Sequence, residues 1–354
     1  MGTYLQLFFQ EFHHENDFHR VLAPLFSGGS AWFGTADGLG ASASPIAQRR
    51  GRHVSGPLYS KWFDAYNAAT GVQINYQAIG SGGGINQLKN KTVDFGASDA
   101  PLSNADLASM PGQVVQIPTV AGAVAIIYNV RGLGSGLKLS GPVLADIYRG
   151  KIKKWNDPAI AALNAGRSLP NQFIAVAHRS DGSGTTNIFT NYLAAVSSEW
   201  KTKVGAGKSV DWPTGIGGKG NDGVAATMKQ AAGGIGYFEL AYARQNNLPF
   251  AARRNKSGAF VLPSIAGATA AAQGAAKQTA RDPRAMIVNQ GGRAYPIAGY
   301  TFIMYYRDGA ASPKGRQVVK FLQWAMGPGQ KYAAPMLYAP LPRAVVAVNQ
   351  TKLR

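Results

Sequence analysis

The sequence predicts an α/β protein, and three observations carry that expectation. Short apolar, partly β-branched runs such as Phe173-Ile174-Ala175-Val176-Ala177 read as buried strands. Stretches such as Leu58, Trp62, Phe63 and Tyr66 repeat apolar side chains at helical spacing. The two patterns alternate along most of the chain. At 354 residues, with 45% hydrophobic and 15% charged residues, it is long enough for two lobes, each with its own core.

Taken in order, the helix carrying Leu58 to Tyr66 is ended by Thr70-Gly71, with Gly as the stop signal. Residues 72–78 alternate as a strand, run into the glycine loop Ile79-Gly80-Ser81-Gly82-Gly83-Gly84, and lead to a helix expected from Ile85 to Lys91. Residues 93–102 read as a short strand ending in a turn, where Asp99 is a candidate cap for that turn or for the helix at Ser103-Asn104. Two strands, 114–118 and 121–128, are expected to pass between lobes near Thr119. Ser140-Gly141-Pro142 and Asp157-Pro158 open helices, the latter with Pro at its first position. Asn221-Asp222 is expected to cap a helix reaching Ala231. A strand at 235–238, a short helix at 239–245, an Ala-rich surface helix or loop at 266–280, a strand at 300–306 and an amphipathic helix at 313–326 complete the pattern.

The stretch around which the rest is organised follows the strand at 173–177. His178-Arg179-Ser180-Asp181-Gly182-Ser183-Gly184-Thr185-Thr186 is a loop of small, hydroxylated residues that opens a helix over 187–196. A helix start exposes free N–H groups and the positive end of the macrodipole. Ser183 and Thr185 add hydroxyl donors, and Arg179 offers a planar fork of donors. That inventory suits an oxyanion receptor. Trp212 to Gly220 resembles a phosphate loop, but Gly220 follows Lys219 where a Walker motif needs Ser or Thr.

Composition narrows the classes further. There are no cysteines, so disulfides and thiolate metal sites are excluded. No apolar run approaches the roughly 20 residues of a membrane span. The net charge of +19 comes mostly from scattered single residues without a recognition motif, so nucleic acid is not an expected partner; a basic surface also steers small anions. His178, Asp181 and Ser183 are the residue types of a nucleophilic triad, which keeps a phosphate-ester hydrolase as the alternative; no G-x-S-x-G elbow supports it.

From Pro57 onward the chain resembles the periplasmic phosphate-binding proteins of high-affinity phosphate ABC transporters. The resemblance rests on 57–62, 76–84, 93–102, 179–185, 217–223 and 234–242. It implies a two-lobed periplasmic binding protein, type II-like, with the ligand cleft between lobes: 57–119 plus 290–354 as one lobe and 120–289 as the other. It puts Ser81, Asp99, Arg179, Ser183, Gly184 and Thr185 on inorganic phosphate, with Asp181 orienting the arginine. It implies a monomer that passes phosphate to the permease, with no cofactor, metal or catalytic residue. Asp99 then has a purpose, because an ionised carboxylate only accepts hydrogen bonds. Phosphate near neutral pH still carries a hydrogen to give, whereas sulfate does not. A receptor for sulfate or molybdate would have no use for Asp99.

The front of the chain departs from this pattern. The family places a loop of the form G-A-G-A-[ST]-F-P-x-P before the first helix, where this chain has Arg52-His53-Val54-Ser55-Gly56. Codons exist for residues 48–56 that, read one base later, spell Ser-Gly-Ala-Gly-Ala-Thr-Phe-Pro-Ala. Residues 1–56 are therefore expected to be an out-of-frame, non-native or disordered leader without a recognisable secretory signal, and His53 and Val54 to stand where the first ligand loop would be. His13, His14, Glu15 and His19 have no spacing that fixes a metal site.

Overall fold

The computed structural model describes residues 56–354. The leader, the histidines within it, His53 and Val54 lie outside the described residues.

The chain begins with α1 (Gly56–Thr70), α2 (Gly80–Lys89), β1 (Gly96–Ser98), α3 (Asn104–Ala108) and the long strand β2 (Val114–Asn129). It continues through β3 (Lys138–Leu139), α4 (Gly141–Tyr148), α5 (Pro158–Ala161), β4 (Ala175–Arg179), α6 (Gly184–Val196) and α7 (Ser198–Lys203). Then come β5 (Ile216–Gly218), α8 (Gly220–Gln230), β6 (Gly234–Glu239), α9 (Leu240–Gln245), β7 (Ala252–Arg254) and β8 (Phe260–Val261). It ends with α10 (Ile265–Arg281), β9 (Ala298–Tyr306), α11 (Pro313–Met326) and α12 (Arg343–Lys352).

One mixed sheet of order β1-β9-β2-β6-β4-β5 runs through the described residues, with a small sheet β3-β7-β8 beside it. Its spine is β2, whose 16 residues reach about 50 Å at ~3.3 Å each. The front of β2, Val114 to Ala123, pairs antiparallel with β9, and Val124 to Asn129 pairs antiparallel with β6. The two strands expected on either side of Thr119 are thus one strand, irregular in register between Pro118 and Val120. Pro118 has no N–H to give, and the carbonyls around the irregularity are taken by side chains instead. Asn349 Nδ2 donates to Pro118 O at 2.7 Å and Gln330 Nε2 to Thr119 O at 3.0 Å.

The expected helices form, with local differences, and α7 and α12 join them without having been expected. α2 starts at Gly80, not Ile85, so the glycine loop is the first turn of a helix. α10 is not a surface feature of low information: Gly267, Ala268, Ala271, Ala272 and Ala275 are buried. Small side chains let that helix pack close to the sheet. Residues 72–78, expected as a strand, belong to neither sheet among the described residues. They line a cavity of about 320 Å³ together with residues of β1 and α11. Alternation records which face could be buried, but a strand exists only through a ladder.

Aromatic clusters fill the core near α1 and near α6. Near α1, Trp62 is fully buried, stacks on Tyr59 with centroids 5.5 Å apart, and donates Nε1–H to Gly329 O at 2.7 Å. Near α6, Phe189 stacks on Tyr237 at 4.4 Å and Tyr148 meets Phe189 edge-on at 4.8 Å. Trp62→Ala is expected to destabilise the protein by roughly 3–5 kcal/mol through the cavity it leaves. Trp62→Phe should cost about 1–3 kcal/mol because Gly329 O loses its partner. Urea unfolding checks both; a loss below about 1 kcal/mol for Trp62→Ala would contradict this packing.

Candidate functional site

The site forms where three helix starts and the C-terminal end of β4 converge. Arg179 is the last residue of β4 and is 2% exposed. A buried guanidinium must be paired, and it is. Its Nε donates to Asp181 Oδ1 at 2.7 Å and its Nη2 to Asp181 Oδ2 at 2.6 Å, a fork-to-fork pair, while Nη1 donates to Asn221 Oδ1 at 2.9 Å. Three of the five N–H donors are used, which leaves two free to face a ligand. Asp181 also accepts the N–H of Gly220, the first residue of α8, at 2.9 Å. Burial pushes the Asp181 carboxyl up, but the Arg179 hydrogen bonds and charge and the Gly220 amide outweigh it and hold the group below the usual range.

The arginine's backbone is fixed as firmly as its head. Arg179 N–H donates to the Tyr237 hydroxyl at 3.1 Å, and that hydroxyl shares a 2.6 Å hydrogen bond with Thr186 Oγ1 on α6. Burial pushes the Tyr237 phenol up to about 12, so it stays neutral.

The opposite wall comes from α2 and β1. Ser81 Oγ accepts the N–H of Asp99 at 3.1 Å and the N–H of Gly184 at 3.1 Å, one from each wall. With both lone pairs engaged, Ser81 has only its hydrogen to offer. The residue at 184 must be glycine for the walls to approach this closely: a Cβ there would sit 2.5 Å from Ser81 Oγ and 2.6 Å from Asp99 Cβ. Gly80 opens α2 at φ +80, where a Cβ would meet Asp181 Oδ2 at 2.9 Å. Gly82 N–H donates to Gly182 O at 2.8 Å, a backbone bond between the two glycine loops.

Asp99 is 3% exposed. Its Oδ1 accepts from Thr301 Oγ1 at 2.8 Å, a residue 202 positions away on β9. Its Oδ2 has no partner. Burial, then the field of the buried Glu239 carboxylate, push Asp99 well above the usual range; Thr301 and Arg179 offset part of this. Thr185 Oγ1 and Asn221 Nδ2 are also buried without partners. Each orphan costs about 1–3 kcal/mol, so a group of them with two free guanidinium N–H bonds marks a place built for a polar guest.

The structure gathers most of the residues singled out in the sequence and changes the part that several of them play. Ser81, Asp99, Arg179, Gly184 and Thr185 come together, with Asp181 orienting the arginine. Asp99 caps neither the turn nor α3, whose cap is Ser103. Gly184's amide is taken by Ser81 Oγ, and Ser183 Oγ caps α6 by accepting Thr186 N–H at 3.1 Å. Asn221 does not cap α8, which starts with Lys219 as its N-cap residue; it holds the arginine instead. Thr301 had no local signal at all. His178, Asp181 and Ser183 do not form a relay: His178 stacks on Trp212 at 4.8 Å, Asp181 clasps Arg179, and Ser183 caps a helix.

The site thus gathers guanidinium, hydroxyl and amide donors around one buried carboxylate oxygen without a partner. The comparisons point the same way. The model of the PBP superfamily domain matches residues 43–328. The phosphate-binding protein PstS of Pasteurella multocida is 48% identical over 298 residues, covering 84% of this chain and 86% of that protein. The phosphate-binding protein PstS of Methanocaldococcus jannaschii is 38% identical over 314 residues, covering 82% and 80%. A high-affinity periplasmic phosphate-binding protein, PfluDING, solved with phosphate bound, superposes with a TM-score of 0.64 over 83% of this chain and 91% of that one; at 23% identity it shows the shared two-lobed α/β fold. The chain belongs to the PBP superfamily and, within it, to the PstS family of phosphate-binding proteins.

Proposed function

We propose that this chain binds inorganic phosphate in the cleft, prefers it to sulfate, and delivers it in the periplasm to the permease of a phosphate ABC transporter, acting as a monomer without cofactor, metal or catalytic step. We read 57–119 with 290–354 as one lobe and 120–289 as the other. The names of the relatives support phosphate as the ligand. The observation that carries the reading is the unpartnered Asp99 Oδ2, a buried acceptor set among hydroxyl and guanidinium donors. Arg179, Ser81, Thr185 and Asn221 Nδ2 would take the ligand's oxygens, Ser183 would add its hydroxyl hydrogen, and Asp99 would take the ligand's hydrogen. Sulfate brings no hydrogen and would leave Asp99 unsatisfied.

An equilibrium titration with labelled phosphate, with and without sulfate, tests the proposal, and phosphate-ester turnover tests the hydrolase alternative. Saturable phosphate binding with sulfate weaker by a factor on the order of 10⁴ is expected, with no turnover. Failure to bind phosphate would end the reading.

Asp99→Asn is expected to narrow the phosphate-over-sulfate ratio by roughly tenfold or more, since an amide can donate to sulfate. An unchanged ratio would remove Asp99 from this role.

Acid is expected to act on the wild type in the same direction. As pH falls, a carboxyl takes up its proton on passing through its own pKa, and that of Asp99 is raised. The neutral, donating form therefore appears at higher pH than for an ordinary carboxyl, which lies at ~4. Discrimination against sulfate should weaken from above that point downward, and competition titrations across pH would show it; a ratio that stays constant on acidification would contradict it.

Arg179→Lys keeps a charge but loses the fork that meets Asp181 and Asn221. Loss of one or two charge-assisted bonds at ~1.5–3 kcal/mol each predicts phosphate binding weaker by about ten- to ten-thousandfold, measured by the same titration.

A further inference from the structure

Lys208, in the loop between α7 and β5, holds two parts of the molecule at once. Its carbonyl accepts the N–H of Ser183, the N-cap residue of α6, at 2.9 Å. Its ammonium donates to Asp106 Oδ2 at 2.7 Å, 102 positions away on α3. α3 follows β1 at one edge of the sheet, whereas the Ser183 loop follows β4 near the other, so the pair spans the cleft. The two side chains are only 25% and 19% exposed, and solvent screens them less than an ordinary surface pair.

Asp106 is held ready for this contact. It forms a capping box in which its Oδ2 accepts Ser103 N–H at 2.9 Å and Ser103 Oγ–H at 2.7 Å, while Ser103 Oγ accepts Asp106 N–H at 3.0 Å. Little further side-chain entropy is lost when the ammonium arrives. The cross-cleft contacts at the site described above, Gly82 N–H to Gly182 O and Gly184 N–H to Ser81 Oγ, are uncharged.

We propose that Lys208 is a positioning residue that clasps the cleft shut through Asp106 and, through its own carbonyl, sets the start of α6 against the opposite wall. The proposal rests on the phosphate reading for its ligand. Lys208 acts without touching the anion: opening the cleft breaks the ion pair, so the pair slows escape more than it speeds capture.

The test is stopped-flow measurement of phosphate binding and release by the full chain and four variants. Asp106→Asn removes the charge but retains an oxygen that can accept from Ser103, so α3 keeps its cap. Lys208→Met and Asp106→Asn are each expected to speed release by about three- to tenfold, with association changed less than about twofold. The double variant should release no faster than either single one. Lys208→Arg should restore most of the slow release, and the wild type's advantage should shrink in ~1 M salt. Unchanged release in Lys208→Met, additive effects in the double variant, or a salt-independent loss would overturn the clasp.

A second measurement does not depend on the ligand. The chain has no cysteines, so a pair introduced on α3 and on α7 can carry dyes that report the cleft distance. Lys208→Met is expected to shift that distance toward longer values. An unchanged distribution would overturn the clasp even if phosphate proved to be the wrong ligand, and failure of the wild type to bind phosphate would count against the ligand reading alone.

Discussion

The Arg179–Asp181 pair is the constraint on which the rest of the site depends. A guanidinium buried to 2% exposure is tolerable only when a carboxylate matches its fork, and Asp181 does so with both oxygens. That pairing spends the arginine's charge without spending all its donors. It also explains why helix starts gather here. The first amide of α8 reaches Asp181, Asn221 in the next position reaches Arg179, and α2 can begin beside the pair only because Gly80 carries no side chain. The positive ends of these helices add to the local potential around the pair.

Placing the two walls around that pair is the work of the sheet. β2 is long enough to serve both halves, and its irregularity at Thr119 is satisfied by side chains from distant helices, not by ladder bonds. Thr119 Oγ1 donates to Thr301 O at 2.9 Å, and Thr301 Oγ1 in turn holds Asp99 Oδ1. The Asp99 carboxylate is thus anchored to the point where the spine changes register. A group tied there is fixed to the strand that pairs with both β9 and β6.

Asp99 shows what a buried, half-satisfied carboxylate costs the protein. Burial and the field of Glu239 make its charged form uncomfortable, and one of its oxygens stays unpartnered. An unsatisfied buried polar group of this kind is rare in proteins and concentrates at functional sites. The aromatic clusters around Trp62 and around Phe189 supply core packing near α1 and near α6.

Much was legible in the sequence because it is local. The alternation of strand and helix patterns determined the α/β class, and the run from Arg179 to Thr185 declared its chemistry through residue types that a helix start requires. Asp181 was readable as the partner of Arg179 because it lies two residues away. Tertiary structure alone decided the rest. Thr301 reaches Asp99 across 202 positions, Lys208 reaches Asp106 across 102, and Asn221 was indistinguishable from a helix cap until Arg179 came within 2.9 Å. The failed strand at 72–78 has the same cause. Local sequence sets what a residue can offer, but pairing, burial and the direction of a side chain belong to contacts between segments that the chain order does not reveal.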